Sequence, residues 1–591
     1  MIILGIHDGH GSSAALISNG KVIAAAEEER FRRQKGYTGY PSHAINWLKK
    51  NFPESTTIDF VAVATKYHDF SLFATQRYPR FSIKDFLYEE ANYWVPVLCR
   101  NEKVNYLDIM SDFVDYSGCE YPLEKIKDHN SVEEVQTLRK EYISAQLEIS
   151  SDRIHFVDHH TCHAHHAYYS SPLRGQNVLI ATMDGFGDDA NASISIEKAD
   201  GSITCLYQTN LCNIGRIYQF ITLLLGMKPA EHEFKVMGLA AYCKEHYIIE
   251  PLKVFEDTYY VDKLEFRSKI EIKNHYQYFK EKLEGYRFDA IAGALQRWVE
   301  NLLCEWIKNW LIHTNCSKLV FSGGVALNIK ACKKIAELNE VDDMFICLAG
   351  GDESISIGAA QKIYCAKENA TDLKPIKSPY LSAGFTEEDI QMALDHPFVK
   401  SNYETIDNIS PQQIAEIIAN GNVVALMSGK MEFGPRALGN RSLLADPRNP
   451  DIVDTINIAI KNRDFWMPFT PSILKEMAED YLINIKELDS PYMTMAFEVT
   501  EKAKKDIPAA IHAHDLTARP QLVDPTISPY YYDIIKEFCN LTGVGALLNT
   551  SFNIHSKPIV HKPLDAVVEV LMHELVELDY VIFENTAIKR I

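Results

Sequence analysis

An α/β chain organised around a duplicated strand module is what this sequence predicts, on three observations. Met1 to Glu29 reads strand, turn, strand, turn, strand: IILGIHDG, then SSAALIS after His10-Gly11, then KVIAAAEEE after the hairpin pair Asn19-Gly20. The stretch NVLIATMDGFGDDANASISIEKADGSITCLYQ repeats that pattern, with a first strand ending in Asp-Gly and Asp200-Gly201 at the second turn. Helical sequence separates the two copies, so strands and helices alternate instead of segregating.

The 591 residues imply two domains or more, and 46% apolar with 11% aromatic content suffices for large cores. A formal net charge of −20 argues against a surface made for nucleic acid. Twelve scattered cysteines without a CxxC pair suit reduced thiols in a cytosol better than a disulfide framework. The opening MIILGIHDGHG turns polar too soon for a signal peptide, and no apolar run approaches membrane-spanning length. The expectation is a soluble, cytoplasmic protein without membrane or nucleic-acid partners.

The duplicated module is what an actin-like fold would give, with a nucleotide between the halves. Between the copies, residues 40–155 read as mixed and mostly helical, with aromatics such as DFLYEEANYWVPVL that serve packing or line an acceptor pocket. In DHHTCHAHHAYY, Asp158 is a plausible N-cap, and His159 and His163 lie four apart on one helical face, able to close on a single ion. His166 shares that face and is a spare ligand. The next apolar strand ends in Asp184 on a glycine turn, which adds a carboxylate to two imidazoles.

Further on, IYQFITLLLG and EFKVMGLAAY read as helices, and AIAGALQRWVENLLCEWIKNWLI as a core helix. KLVFSGGVALN gives a strand, a turn at Ser322-Gly323-Gly324 that lets backbone N–H groups approach a ligand, and a helix. DDMFICLAGGDESISIGAA repeats that theme, with Asp352 as an N-cap or as a further metal ligand. Cys365 to Phe385 turns polar and proline-bearing, so the expected domains are 1–370 and 371–591. The second half carries Lys430, Arg436, Arg441, Arg448, Lys461, Arg463 and Arg519 among glycines, then LLNTSFN; guanidinium forks interleaved with apolar residues suggest an anion cradle.

End to end, the chain resembles the NodU/CmcH-type O-carbamoyltransferases of nodulation-factor and antibiotic biosynthesis. The resemblance is carried by HDGHGSSAAL, AAAEEERFRRQK, DHHTCHA, MDGFGD, EFKVMGLAAY, SGGVALN, GDESISIGAA, MEFGPRALGNRSLLADPR, ARPQLV and LLNTSFN. It implies an N-terminal actin-like (ASKHA-type) domain similar to tRNA threonylcarbamoyl transferases and a C-terminal YrdC-like domain. It implies that carbamoyl phosphate and ATP, with Mg2+, give carbamoyl-adenylate in the C-terminal domain, and that the carbamoyl group then passes to a hydroxyl of a small acceptor at an N-terminal metal site. It would place Arg436, Arg441, Lys461, Arg519, Asn549 and Ser551 on carbamoyl phosphate and ATP phosphates, with Arg436 and Arg441 catalytic. His159, His163, Asp184 and Asp352 would hold an iron-like divalent metal, with Mn2+ or Zn2+ as alternatives. His10 would act as general base or orient the acceptor; Lys35, Lys235, Gly323, Gly324 and Asn328 would contact the adenylate. A homodimer is implied as well.

The sequence departs from that pattern at Lys430, where Arg is expected, at His165 and His166, where small residues are usual, and at Glu353 and Ser354. A tRNA threonylcarbamoyl-type enzyme is the alternative, against which the acidic balance speaks. An actin-like sugar kinase leaves the arginine-rich half without a task.

Overall fold

The computed structural model describes residues 1–69, 74–78, 80–125, 131–461, 464–574 and 576–591. They form two compact units, Met1–Glu28 with Gly36–Pro375, and Glu29–Lys35 with Ile376–Ile591. The division falls at Pro375 instead of 370, and a seven-residue segment near the start goes with the second unit. Part of the expected linker is ordered within the first unit: a 3-10 turn at Ala370–Asp372 is capped by Asn369, and the Lys374 N–H donates to the Gly20 carbonyl at 2.8 Å.

The first unit holds two five-stranded sheets of the same strand order. One contains β1 (Ile2–His7), β2 (Ser13–Ser18), β3 (Lys21–Glu27), β4 (Phe60–Ala64) and β5 (Ile154–Val157), in the order β3-β2-β1-β4-β5. The other contains β6 (Val178–Gly187), β7 (Ala190–Glu197), β8 (Ile203–Thr209), β9 (Lys318–Ser322) and β10 (Asp343–Ile346), in the order β8-β7-β6-β9-β10. In each, three antiparallel strands joined by tight turns are followed by two parallel ones. The repeat read in the sequence is therefore a repeat of topology. Local turn chemistry explains the antiparallel part: Asn19 and Gly20 both take positive φ, as a two-residue hairpin turn requires.

Two helices fix the site. α1 (His159–Tyr169) follows β5, and α2 (Ile355–Lys367) follows the second glycine turn. They cross backbone to backbone at Gly358, where a Cβ would lie 1.9 Å from the Cys162 carbonyl oxygen. Only glycine permits that approach, and it sets the start of α2, with Asp352 just before it, beside the middle of the histidine helix. The apolar α3 (Phe288–Thr314) buries Trp298 and Trp306, as its periodicity predicts.

The second unit is built on an eight-stranded sheet. Its strands are β11 (Tyr403–Ile406), β12 (Val424–Met427), β13 (Arg441–Ala445), β14 (Thr470–Leu474), β15 (Gln521–Val523), β16 (Ala546–Ser551), β17 (Tyr580–Phe583) and β18 (Thr586–Arg590). They run in the order β11-β18-β17-β12-β13-β16-β14-β15. A hydrophobic core of this unit joins Met427, Leu443, Leu548, Phe552, Val567 and Phe583. The Glu29–Lys35 segment is bound to this unit through Arg33, whose guanidinium donates to both Glu569 oxygens at 2.9 and 2.8 Å and to the Ile559 carbonyl at 2.7 Å.

Candidate metal centre and anion pocket

Asp158 caps α1 by accepting the Thr161 N–H at 2.9 Å, which starts the helix so that His159 and His163 point the same way. Their Nε2 atoms lie 3.2 Å apart. The Asp352 Oδ1 lies 3.5 Å from His159 Nε2 and 3.3 Å from His163 Nε2, and Asp184 Oδ2 lies 3.4 Å from His163 Nε2. One ligand atom from each of the four residues falls within 4.8 Å of the rest. The sequence reached these four from three separate segments, and the fold brings them together.

The donor set suits a divalent cation. Contacts of this length are those of atoms sharing one ion at bond lengths of about 2.0–2.2 Å. Both imidazoles are oriented from behind: His159 Nδ1 meets Thr65 Oγ1 at 3.1 Å, and His163 Nδ1 meets Ser322 Oγ at 3.2 Å. A proton held on Nδ1 by those hydroxyls leaves a lone pair on each Nε2. Two imidazoles and two carboxylates would then carry a divalent ion at near-zero net charge. Without an ion, burial alone would push His163 down, but its hydrogen bonds to Asp184 and Asp352 outweigh burial and hold it up at about 9. Burial would raise Asp352, yet His159 and His163 pull it well below the usual carboxylate range.

A proton and a metal therefore compete for His163. Below pH 9 metal uptake displaces that proton, so affinity falls as pH falls, by about tenfold per unit while the other ligands stay deprotonated. Titration of the metal-free protein at several pH values, with proton release followed in weak buffer, measures this slope.

Thr65 has a positive φ of 68°, an outlier for a β-branched residue. It is held there because its N–H donates to the Val157 carbonyl at 2.9 Å and its own carbonyl accepts from Arg139 at 2.9 Å. Strain clamped in this manner marks a functional position, here the hydroxyl behind His159. Thr65→Ala is expected to weaken metal binding by about 10–100-fold at unchanged stoichiometry, read by competition with a chromophoric chelator.

The remaining histidines of α1 are not ligands. His166 Nε2 meets the Leu348 carbonyl at 2.7 Å and its Nδ1 meets Ser170 Oγ at 3.1 Å, so the expected spare ligand is a buried tether. His165 Nδ1 bonds the Thr161 carbonyl at 2.7 Å, and His160 Nδ1 meets Thr182 Oγ1 at 2.8 Å.

The glycine turn serves Asp184. Gly323 sits at φ 101°, and a Cβ there would lie 2.1 Å from the Met183 carbonyl oxygen. With β9 seated that closely, the Gly324 N–H donates to Asp184 Oδ2 at 2.6 Å. Asn328 caps the following helix through the Ala331 N–H at 3.0 Å and exchanges hydrogen bonds with Gln296 at 3.0 Å. Those bonds give its amide a structural task in place of the expected adenylate contact. Lys235 is buried, whereas Lys35 is exposed and belongs to the second unit. His10 is exposed at the tip of the β1–β2 turn, and its ring lies over Gly36.

In the second unit, the GPRALGNRS loop wraps a buried carboxylate. Glu432 Oε1 accepts the backbone N–H groups of Leu438, Asn440 and Arg441 at 2.7, 2.9 and 3.2 Å. Buried Asn549 donates to the Ala437 carbonyl at 3.2 Å, and Gln521 donates to the Leu438 carbonyl at 2.8 Å. These bonds knit the segments that carry Arg436, Asn549 and Arg519, with Arg436 and Arg519 both half-buried. Glu432 Oε2 and Asn549 Oδ1 are buried acceptors without a hydrogen-bond partner among the described residues. Lys461 donates to the Ser551 carbonyl, to Ser551 Oγ at 3.1 Å and to Asn553 Oδ1 at 2.7 Å. Arg463 lies outside the described residues.

Arg441 has a different task from the one its spacing suggests. It is fully buried, and its guanidinium donates to the carbonyls of His561, Ser428, Asn440 and Gly429 at 3.2, 2.8, 2.7 and 3.3 Å. It also stacks on Phe385 with 4.8 Å to the ring centroid. Burial pushes it down to about 10 despite Glu432, Glu584 and Asp565. Arg441 is a strut that shapes the loop instead of a free fork for an anion. Arg448 is likewise occupied, paired with Asp446 at 2.6 Å.

Residues 2–361 match the family model described as the carbamoyltransferase N-terminus, and residues 415–590 match the carbamoyltransferase C-terminus. The chain belongs to the carbamoyltransferase family. It is 34% identical to an uncharacterized protein of Methanocaldococcus jannaschii over 461 residues, 74% of each chain. It is 27% identical to nodulation protein NolNO of Sinorhizobium fredii over 598 residues, covering 98% of this chain and 79% of that one. Among solved structures, component A of the Acidaminococcus fermentans (R)-2-hydroxyglutaryl-CoA dehydratase is 12% identical with a TM-score of 0.32, covering 61% of this chain and 96% of that one. The protein is a carbamoyltransferase enzyme. Among the described residues no helix is long and apolar enough to cross a membrane.

The support beneath the carbamoyltransferase's candidate metal centre is not legible in the sequence. Asp8 is fully buried and accepts from Arg139 at 2.6 and 2.8 Å and from Tyr121 at 2.6 Å, with His68 Nε2 at 3.0 Å. Next to it, the His7 Nε2–H donates to the His10 carbonyl at 3.0 Å and tethers the turn that carries His10. Arg139 also bonds the Ala64 and Thr65 carbonyls, so one guanidinium ties the β1 turn to the strained residue behind His159. The adjacent pair His7-Asp8 at a strand end was the available signal; the partners of Asp8 lie 60 or more residues away.

Proposed function

We propose that this carbamoyltransferase is ATP-dependent and works in two steps. In the first, in the C-terminal unit, read as YrdC-like, water hydrolyses carbamoyl phosphate to carbamate and phosphate, and the carbamate oxygen attacks the α-phosphate of ATP to form carbamoyl-adenylate with release of pyrophosphate. Arg436, Arg519 and Lys461 supply positive charge for the phosphates, while the orphan acceptors Glu432 Oε2 and Asn549 Oδ1 are placed to receive donors such as the carbamoyl NH2. Arg441 acts by holding the loop.

In the second step the N-terminal, actin-like unit passes the carbamoyl group to an acceptor hydroxyl and releases AMP. A divalent ion bound by His159, His163, Asp184 and Asp352, iron by the family resemblance, would supply Lewis acidity toward acyl and phosphoryl oxygens. His10, on its tethered turn, takes the proton of the attacking hydroxyl. Carbamate is a weak electrophile, and adenylation gives it a leaving group that makes its carbonyl attackable.

The convergence of those four ligands on one point carries this reading. Incubation with ATP, Mg2+ and carbamoyl phosphate, but no acceptor, should release pyrophosphate, and Arg436→Ala should abolish that release while the protein stays folded. Absence of pyrophosphate release by the wild-type protein, with ADP formed instead, would overturn the adenylate scheme.

A further inference from the structure

Beside Asp184 lies a group of side chains that the two steps above do not use. The helix Ile214–Leu224 packs its first turn onto Asp184–Gly185 of β6 so closely that a Cβ on Gly215 would lie 2.8 Å from Gly185 Cα. Arg216 follows on that turn, and its guanidinium sits 4.9 Å from the centroid of Phe186. Phe186, two residues after Asp184, is 47% exposed, unusual for an aromatic in the first unit's sheets. One helical turn after Gly215, the Gln219 amide nitrogen lies 3.6 Å from where a Gly185 Cβ would be.

Neither Arg216 nor Gln219 makes a hydrogen bond or ion pair among the described residues. A half-buried guanidinium with no carboxylate partner is costly unless something completes it, because its planar fork is desolvated on the Phe186 side. The surroundings do not neutralise it. His275 is pushed down to about 4 by burial, reinforced by Arg216, and so is uncharged. Burial, with Glu89 alongside, pushes Glu90 up to about 7 against the pull of Arg216, so that carboxyl compensates only in part at neutral pH. What the group lacks is a planar or tetrahedral anion beside Asp184.

We propose that Arg216, Gln219 and the exposed ring of Phe186 form the acceptor subsite beside Asp184, and that it takes a hydroxyl compound carrying a phosphate or carboxylate group. The acceptor role rests on the carbamoyl-transfer reading; the anion binding does not. The fork grips two oxygens of the anion, the Gln219 amide donates to a third polar atom, and Phe186 supports the acceptor's apolar or ring face. Anchoring the acceptor's charged end here leaves its hydroxyl toward Asp184 and the other ligands. A neutral polyol would leave the guanidinium unmatched.

The test is calorimetric titration of the full chain with phenyl phosphate and with benzoate, using phenol as the neutral control. Titrations are run in the Arg436→Ala background to silence the arginine pocket of the second unit. At least one anion should bind, and whichever does identifies the group as phosphate or carboxylate; phenol should not. Arg216→Gln should weaken that binding by about tenfold or more, with Arg216→Lys intermediate because a point charge replaces the fork. Phe186 is half-exposed, so Phe186→Ala should fold and weaken binding severalfold, which keeps the test available if Arg216→Gln is unstable. Equal affinity in wild-type and variant backgrounds, or no binding of either anion, overturns the subsite. Acceptor-free pyrophosphate release, measured separately, reports on the carbamoyl-transfer reading. Absence of that release with intact Arg216-dependent binding would refute the adenylate scheme and leave the anion site standing.

Discussion

His163→Ala lowers carbamoyl transfer by about a thousandfold or more while acceptor-free pyrophosphate release stays within about twofold of wild type. The expected split follows from where the residue sits. His163 Nε2 faces Asp184 and Asp352 at 3.4 and 3.3 Å and His159 at 3.2 Å, so its removal takes out the donor that touches all three others. Two carboxylates are left with one imidazole, and a three-ligand remnant binds a divalent ion far more weakly. His163 belongs to the first unit, and the residues assigned to adenylation belong to the second. Measuring both half-reactions on the same preparation separates loss of the centre from loss of fold. A parallel fall in both would show that adenylation also uses these ligands.

Arg441→Met is expected to destabilise the protein by about 3–5 kcal/mol, with loss of pyrophosphate release following from unfolding of the loop. The buried carbonyls of His561 and Ser428 would lose this donor, and those of Asn440 and Gly429 would lose a partly buried one. Denaturant unfolding read from this unit should show the shift, since a loss of that size is a large fraction of typical domain stability. The contrast with Arg436 is the informative part. Arg436→Ala should remove activity at a smaller cost in stability, because that side chain is half-buried where Arg441 is fully buried. An Arg441→Met protein of wild-type stability, with a raised KM for carbamoyl phosphate, would restore the anion-binding role that the motif suggested.

What the sequence made legible is what local chemistry controls. The hairpins of β1–β3 and β6–β8 are written in Asn19-Gly20 and Asp200-Gly201, and their likeness predicted the doubled sheet. His159 and His163 followed from the four-residue period of a helix. His166 satisfied the same period and failed because facing is decided by what packs opposite: the Leu348 carbonyl reaches it before any ion could. Arg441 was misjudged for a similar reason, since spacing gives no sign of whether a guanidinium points outward or into backbone carbonyls. The exchange of Glu29–Lys35 into the second unit depends on Arg33 meeting Glu569, a contact no window of sequence contains. Thr65 and Arg216 were invisible because their meaning comes from a backbone angle and from a missing partner.

X-ray absorption at the edge of the metal that copurifies with the untreated protein tests the central claim most directly. Two histidine imidazoles should appear as outer-shell scattering beyond a first shell of nitrogen and oxygen, at one ion per chain, and both the ion and that signature should vanish in His159→Ala/His163→Ala. A first shell containing sulfur, or a stoichiometric ion that survives the double substitution, would contradict a centre built from His159, His163, Asp184 and Asp352.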